Sequence, residues 1–379
     1  MSQGRKRGQA AKVAAVVAVL VIVAFLLFTP TVQSFLRDLV ASPFNPRYPE
    51  SSTFTLQRSL TVDANGGDIL GYNFDISEPE TIVQNGFTLQ NVTDIQYVPA
   101  VTSDEVRYGQ RWVEWNGTAF GGNQERTCVV TYEVMVKSKI WDIGKDGSRN
   151  ISYIPSYLRS QYIHNQWSNG YGEYKINITS PLIRSTAEQV VGNETNGYQV
   201  LKSIYDWMTE NIRYPTTSTG GEPQSAVQTL LSKVGDCDDQ SILFCSLARS
   251  AGVPAWLQMG ALYVEAESSW GGHGWVQAYV PLASGGGENV TIDVVNKDFM
   301  VFKSNRFIDF TDDGNGTHLS DYYYTFSTTY DPTSYDDGKV PMYSDEYASL
   351  GYMESVKTIS RGNTYTIGPE LTLACIFRQ

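Results

Sequence analysis

Gly235-Asp236-Cys237-Asp238-Asp239-Gln240-Ser241-Ile242-Leu243-Phe244-Cys245-Ser246-Leu247-Ala248-Arg249 decides how the rest of the chain is read. Asp236 is a helix-capping residue type, whose carboxylate accepts from the free backbone N–H groups of the next turn. Ile242, Leu243, Leu247 and Ala248 recur at helical spacing and give one apolar face. Gly252 and Pro254 then stop the helix. Cys237 falls in the first turn, at the positive end of the macrodipole, which favours thiolate over thiol. Backbone N–H groups at that end also face a developing oxyanion. Asp238 and Asp239 oppose the first effect, so a thiolate at Cys237 needs a cationic partner.

The stretch 272–280 supplies one. Val276, Ala278 and Val280 alternate along it, so His273 lies on the other face with Trp275, Gln277 and Tyr279. A second alternating run, 290–295, comes after Ser284-Gly285-Gly286-Gly287, and a short Gly-rich link between two such runs predicts an antiparallel hairpin. Folding about Ala283 sets Asp293 across from His273 on one face, within two residues of register. Cys237, His273 and Asp293 thus come in the order nucleophile, base, orienter.

These residues carry a resemblance. Helix-Cys, strand-His and strand-Asp in this order resemble the transglutaminase-like branch of the papain-like fold. The Gly235-Asp236-Cys237 opening, the helix exit Ala251-Gly252-Val253-Pro254-Ala255 and the His273-Gly274-Trp275 strand match its pattern. Asp293 is followed by Val294, where many members carry proline. The resemblance covers residues 181–330. It implies a thiol nucleophile at Cys237, a general base at His273 and an orienting carboxylate at Asp293.

The whole chain has 379 residues and a formal net charge of −12, and residues 1–32 carry four basic residues and no acid. Residues 33–379 are therefore more acidic still, which argues against nucleic acid and anionic lipid as ligands. Cys237 and Cys245 lie eight residues apart on one helix, about 12 Å of rise, too far to bridge. Cys128 and Cys375 stand in strand-like runs, where a disulfide and two free thiols are equally open.

Taken in order, Arg5, Lys6, Arg7 and Lys12 precede an apolar run over 13–28. Residues 1–32 read as a basic cytoplasmic flank and a retained signal anchor, giving a single-pass cell-membrane protein whose N-terminus is cytoplasmic and whose bulk is extracytoplasmic. Seven sequons, at Asn91, Asn116, Asn150, Asn177, Asn193, Asn289 and Asn315, agree with an exported glycoprotein. Residues 33–53 read as a stalk. Alternating runs between turn signals, with Asn65-Gly66 and Asn85-Gly86 among the latter, predict a β-sandwich over 54–180. Helical periods appear next at 198–213 and 226–233. His164 reads as a surface or boundary residue, and Thr311-Asp312-Asp313-Gly314-Asn315-Gly316 as an ordinary turn rather than a calcium loop. Residues 321–326 read as a strand ending the 181–330 domain. The final segment, 331–379, reads as an irregular extension with one late strand over 364–376.

The expected fold is α+β: a Cys-bearing helix on an antiparallel sheet, preceded by a sandwich and an N-terminal transmembrane helix. The expected function is cell-surface, thiol-dependent hydrolysis or acyl transfer at amide bonds of a protein or peptide, including glutamine side chains. No cofactor or metal is implied, and nucleic acid is not a partner. The competing reading is a catalytically silent surface binding or scaffold protein on the same fold.

Overall fold

Period-two alternation builds the first layer. Strand β1 (Ser51–Asp63) buries Phe54, Leu56, Arg58, Leu60 and Val62 on one face and turns the residues alternating with them toward the other. It is followed by β2 (Asp68–Ser77), β3 (Ile82–Gln84), β4 (Phe87–Val98), β5 (Ser103–Arg107), β6 (Gln110–Gly121) and β7 (Glu125–Lys137). Both Asn-Gly pairs turn as expected. Asn65 and Gly66 have φ of 48° and 94°, Asn85 and Gly86 of 49° and 78°, the paired positive values of a tight hairpin turn. The computed structural model describes residues 46–366 except 169, 171, 217–221, 316–321, 324, 337 and 362.

The helical half begins at α1 (Ser156–Tyr162), and the hairpin β8 (Gln166–Ser168) and β9 (Glu173–Ile176) comes after it. Next come α2 (Pro181–Val191), α3 (Gly197–Asn211), α4 (Ala226–Ser232) and α5 (Cys237–Ser250). Caps fix their starts: Pro181 opens α2, Asn196 accepts from Gln199 N–H at α3, and Ser225 with Gln228 closes a capping box at α4. The chain then runs through β10 (Ala255–Val264), β11 (Ser269–Pro281), β12 (Gly287–Asp293), β13 (Asp298–Phe299) and β14 (Arg306–Thr311). It returns through β15 (Phe326–Asp331) and β16 (Met342–Glu354).

The three larger sheets among the described residues are antiparallel. The largest sandwich sheet has the order β16-β1-β7-β4-β3, its partner β15-β2-β6-β5, and the sheet under α5 β13-β12-β11-β10-β14. The buried face of the first sheet spans both neighbours. Tyr343 meets Phe74 of the second sheet, with ring centroids 6.1 Å apart, while Phe54 meets Trp270 of the third at 4.7 Å. The described residues from Pro49 onward accordingly form one compact unit. Helix α5 is buried all round from Asp239 to Arg249, not on one face, because the sheet covers one side and α2, α3 and α4 the other.

Several expectations about boundaries change. Residues 331–354 are no irregular extension: β16 pairs with β1 from Met342 opposite Asp63 to Glu354 opposite Ser52. It covers an edge that β1 would otherwise leave open. The expected strand over 321–326 begins only at Phe326, because Tyr322 and Tyr323 are helical. Residues 148–177 join the α5 domain rather than the sandwich: Arg149 N–H donates to Pro281 O at 2.8 Å and Asn177 N–H to Ser246 Oγ at 3.2 Å. Of the expected last strand, Asn363–Thr366 is present; residues 367–379, including Cys375, lie outside the described residues. The apolar run 13–28 and most of the stalk also lie outside them. Among the described residues no helix is long and apolar enough to cross a membrane.

Candidate active site

Helix α5 starts where the sequence places it. Asp236 caps it by accepting from Asp239 N–H, and the Asp239 carboxylate accepts in return from Asp236 N–H at 3.2 Å. Asp239 also takes the backbone N–H and side-chain amide of Gln224, at 2.5 and 2.7 Å, which ties the α4 approach to the helix start. Cys237 is the first helical residue and is half-buried. Its own backbone N–H belongs to the first turn, which lacks intrahelical acceptors.

Strand β11 passes against this helix end at Gly274. A Cβ built there would lie 3.7 Å from Asp238 Cα, and the Gly274 N–H reaches the Cys237 sulfur. Burial pushes the Cys237 thiol up, Asp238 and Asp236 add to the rise, and the Gly274 N–H opposes it. These surroundings favour the neutral thiol, so the standing thiolate expected with His273 as its cationic partner is not what they support. Desolvation with two flanking acids outweighs a helix-end effect of about 0.3–1 kcal/mol. Asp238 is itself held well above the usual carboxylate range by burial and by sharing a hydrogen bond with Asp236, and it accepts from the Tyr323 hydroxyl.

His273 precedes Gly274 on the same strand. Its Nε2 lies 2.8 Å from Asp293 Oδ2. The observed register sets Val276 opposite Ile292, so Asp293 lies level with Trp275 and reaches His273 diagonally, two residues along. The hydrogen bonds at His273 among the described residues fall on Nε2 and leave Nδ1 without one. Because a carboxylate only accepts, Nε2 carries the proton and Nδ1 the lone pair. Asn296 Nδ2 sits 3.0 Å from Nε2 and 2.8 Å from Asp293 Oδ2. With Nε2 already a donor, the amide N–H serves Asp293.

Two residues of this cluster escaped the sequence reading. Asn296 follows Asp293 by three and also donates its backbone N–H to Asp293 Oδ1 at 3.0 Å. Arg306, wholly buried on β14, donates to Asp293 Oδ2 at 2.8 Å and to Asp298 Oδ2 at 2.6 Å. Burial alone would raise the Asp293 carboxyl, but Arg306 and His273 hold it well below the usual range. Asp298 stays above its usual range because burial exceeds the help of Arg306 and Lys303. The signal that could have found Arg306 is a cation set in the apolar run Phe307, Ile308, Phe310.

The remaining candidates lie elsewhere. His164 bonds through both ring nitrogens to backbone oxygens of Asn165 and Gln161, each at 2.8 Å. Asp312 is buried, accepts from Gln166 and pairs with Arg249 at 3.5 Å. Cys245 is fully buried, its thiol pushed up to about 12 by desolvation, which fits a core thiol. Asp236, Cys237 and Asp238 bring ligand atoms within 4.8 Å of one another; each already serves as helix cap, candidate nucleophile or Tyr323 acceptor.

A cysteine at a buried helix start, set against an antiparallel sheet that carries a His–Asp pair, defines a thiol-site α+β domain. Residues 184–290 match the family model of the transglutaminase-like superfamily, so the chain carries a transglutaminase-like domain there. That stretch includes α5 and β11, with Cys237 and His273. A candidate cysteine protease from Cytophaga hutchinsonii has the same fold, with a TM-score of 0.55 at 16% identity, over 81% of this chain and 93% of that one. A candidate protease from Parabacteroides distasonis aligns at 14% identity over 68% of this chain and 47% of that one, TM-score 0.24. The periplasmic domain of TgpA from Pseudomonas aeruginosa aligns at 12% over 65% and 87%, TM-score 0.31. Only the first of the three bears on the fold. No curated protein matches the chain.

Proposed function

We propose that the chain is a thiol-dependent hydrolase or acyltransferase acting on amide bonds of proteins or peptides, with Cys237 as nucleophile, His273 as base and Asp293 as orienter. The observation that carries this reading is the 2.8 Å bond from His273 Nε2 to Asp293, which frees Nδ1, one residue from the Gly274 N–H at the sulfur. His273 Nδ1 takes the thiol proton as Sγ attacks the carbonyl carbon, and the carbonyl electron pair moves to oxygen. The Cys237 N–H, at the helix start, faces that oxyanion. Collapse breaks the C–N bond, the leaving amine takes the proton from His273, and a thioester remains. Water or a primary amine, deprotonated by His273, releases the acyl group and the thiol is restored. General-base activation replaces a resting ion pair because the site's burial and acids favour the protonated thiol.

The silent binding reading draws on the same burial of Cys237. Casein with a fluorescent primary amine separates the two. The wild-type chain should release peptides or incorporate amine, and Cys237→Ala should do neither. Activity surviving in Cys237→Ala would remove the thiol from the mechanism, and an inactive wild type would favour the binding reading. The basic flank and apolar run at 13–28 support an extracytoplasmic, membrane-anchored location. Exposure of the sequons at Asn116, Asn150 and Asn193 is compatible with it.

A further inference from the structure

Asp293 is not the only carboxylate that Arg306 serves. Asp298 on β13 is the ladder partner of Asp293 on β12, and the two are buried, 3% and 1% exposed. Like charges directly opposite on paired strands repel. One guanidinium nitrogen answers both: Arg306 Nη2 donates to Asp293 Oδ2 at 2.8 Å and to Asp298 Oδ2 at 2.6 Å. Its Nη1 and Nε are buried without a hydrogen-bond partner among the described residues. The parallel two-bond fork that makes an arginine–carboxylate pair strong is therefore used on neither acid.

The charges alternate outward from the site. His273 meets Asp293, Asp293 meets Arg306, Arg306 meets Asp298, and Lys303 Nζ closes the line 2.9 Å from Asp298 Oδ2. Lys303 is 26% exposed, so the line ends near solvent, and its charge helps to keep Asp298 ionised. Trp275, wholly buried, packs along the inner part. Its ring centroid is 5.8 Å from that of His273 and 5.5 Å from Arg306 Cζ. In such dry surroundings a charge acts more strongly than in water.

Paired with Asp293 alone, Arg306 would cancel most of that carboxylate's field at His273 and leave the ring a weak base. A second acid on the same nitrogen offsets the cation, and Asp293 keeps its field for the ring. The imidazolium that forms when the thiol gives up its proton is then supported. The support matters here because burial and the flanking acids favour the protonated thiol at Cys237. We infer that Asp298 is a positioning residue of this site: by sharing Arg306 with Asp293, it strengthens His273 as a base. The inference rests on the proposed role of His273 and adds a carboxylate that touches no reacting atom. On the helix side the titratable groups are Cys237, Asp236 and Asp238, with the phenols of Tyr214 and Tyr323 beside them. All five are unchanged in the variants below, so differences report the Asp298 side.

Histidine NMR titration of the full chain tests it. The chain has three histidines, and His273→Gln assigns the signal. Asp298→Asn keeps the side-chain shape and an oxygen that accepts from Arg306, but removes the charge. The half-titration pH of the His273 ring should fall by about half a pH unit or more in this variant. On casein, the acidic limb of its kcat/KM profile should move down in pH with the ring, and the plateau should drop about threefold to tenfold. A packing role alone would leave both the ring and the limb in place. Should Asp298→Asn fail to fold, the double variant Asp298→Asn with Lys303→Met removes the whole pair and decides by the same fall. An unmoved or raised half-titration pH in the folded variant would overturn the inference. A wild-type chain inactive on casein would count against the proposed reaction, while the NMR titration would still decide the coupling of Asp298 to His273.

Discussion

Replacing Asp293 by Asn changes one atom in a cluster where four donors converge on its carboxylate. His273 Nε2, Asn296 Nδ2 and Arg306 Nη2 each reach Asp293 Oδ2 at 2.8 Å, and Asn296 N–H reaches Oδ1 at 3.0 Å. An amide has one acceptor oxygen, so its NH₂ must face either the Asn296 N–H or the three converging donors. At least one hydrogen bond to a charged group is lost, about 1.5–3 kcal/mol of stability. Arg306 keeps Asp298 at 2.6 Å, so no cation is stranded and the fold should persist. Turnover should suffer more, because nothing then fixes the proton on Nε2. A fall in kcat/KM of about 10²–10⁴, or about 3–5 kcal/mol of barrier, is expected, the upper end being that of the Asp→Asn change in serine-protease triads. Stability adds a signature. The Asp293 carboxyl is held low in the folded state, so its contribution is present above the unfolded value of about 3.9 and is lost as pH falls below it. The stability gap between wild type and variant should therefore narrow below about pH 4. Peptide-hydrolysis kinetics and denaturant unfolding measure both. Activity within about twofold of wild type, well under 1 kcal/mol, would refute the assignment.

Asp309, buried between sandwich and sheet, has its carboxyl pushed up to about 6 by desolvation that the Arg58 ion pair at 3.2 Å only partly offsets. Its folded value exceeds the unfolded one, so its stabilisation is present below about pH 4 and lost as pH rises through 6, about 3 kcal/mol in all. Denaturant unfolding of Asp309→Asn should lack that part of the slope, and a slope matching wild type would contradict the burial account. On intact cells, external protease should degrade the chain beyond residue 30; full protection would sink the membrane-anchored placement.

The placement of Cys237, His273 and Asp293 on their elements was legible because each element has its own period. The cap at Asp236 fixes where α5 begins, and the alternation of Val276, Ala278 and Val280 fixes the face of His273. A Gly-rich turn then limits Asp293 to a window of two residues. What surrounds the three was not legible. Arg306 comes from β14, which lies beside β10 at the sheet's far edge, and no local pattern reveals that a cation there crosses to Asp293. The ionisation of Cys237 depends on burial by β11, whereas the sequence displays only the helix end and the acids. Strand β16 hid for a related reason: its side chains are exposed or half-buried, so an edge strand that mixes Tyr with Ser, Asp and Glu lacks the apolar alternation that betrays an inner one. Its Asp345 and Tyr347 were set instead by the buried Arg58 opposite, at 2.6 Å from Asp345.

The central claim is that His273 activates Cys237. Iodoacetamide labelling at neutral pH, followed by mass spectrometry, reads both helix cysteines in one sample. Cys245 serves as internal control, being wholly buried. Cys237 should label at least about tenfold faster than Cys245 in the native chain, and His273→Ala should remove most of that advantage. Equal labelling of the two cysteines, or a Cys237 rate that ignores His273, would contradict the account.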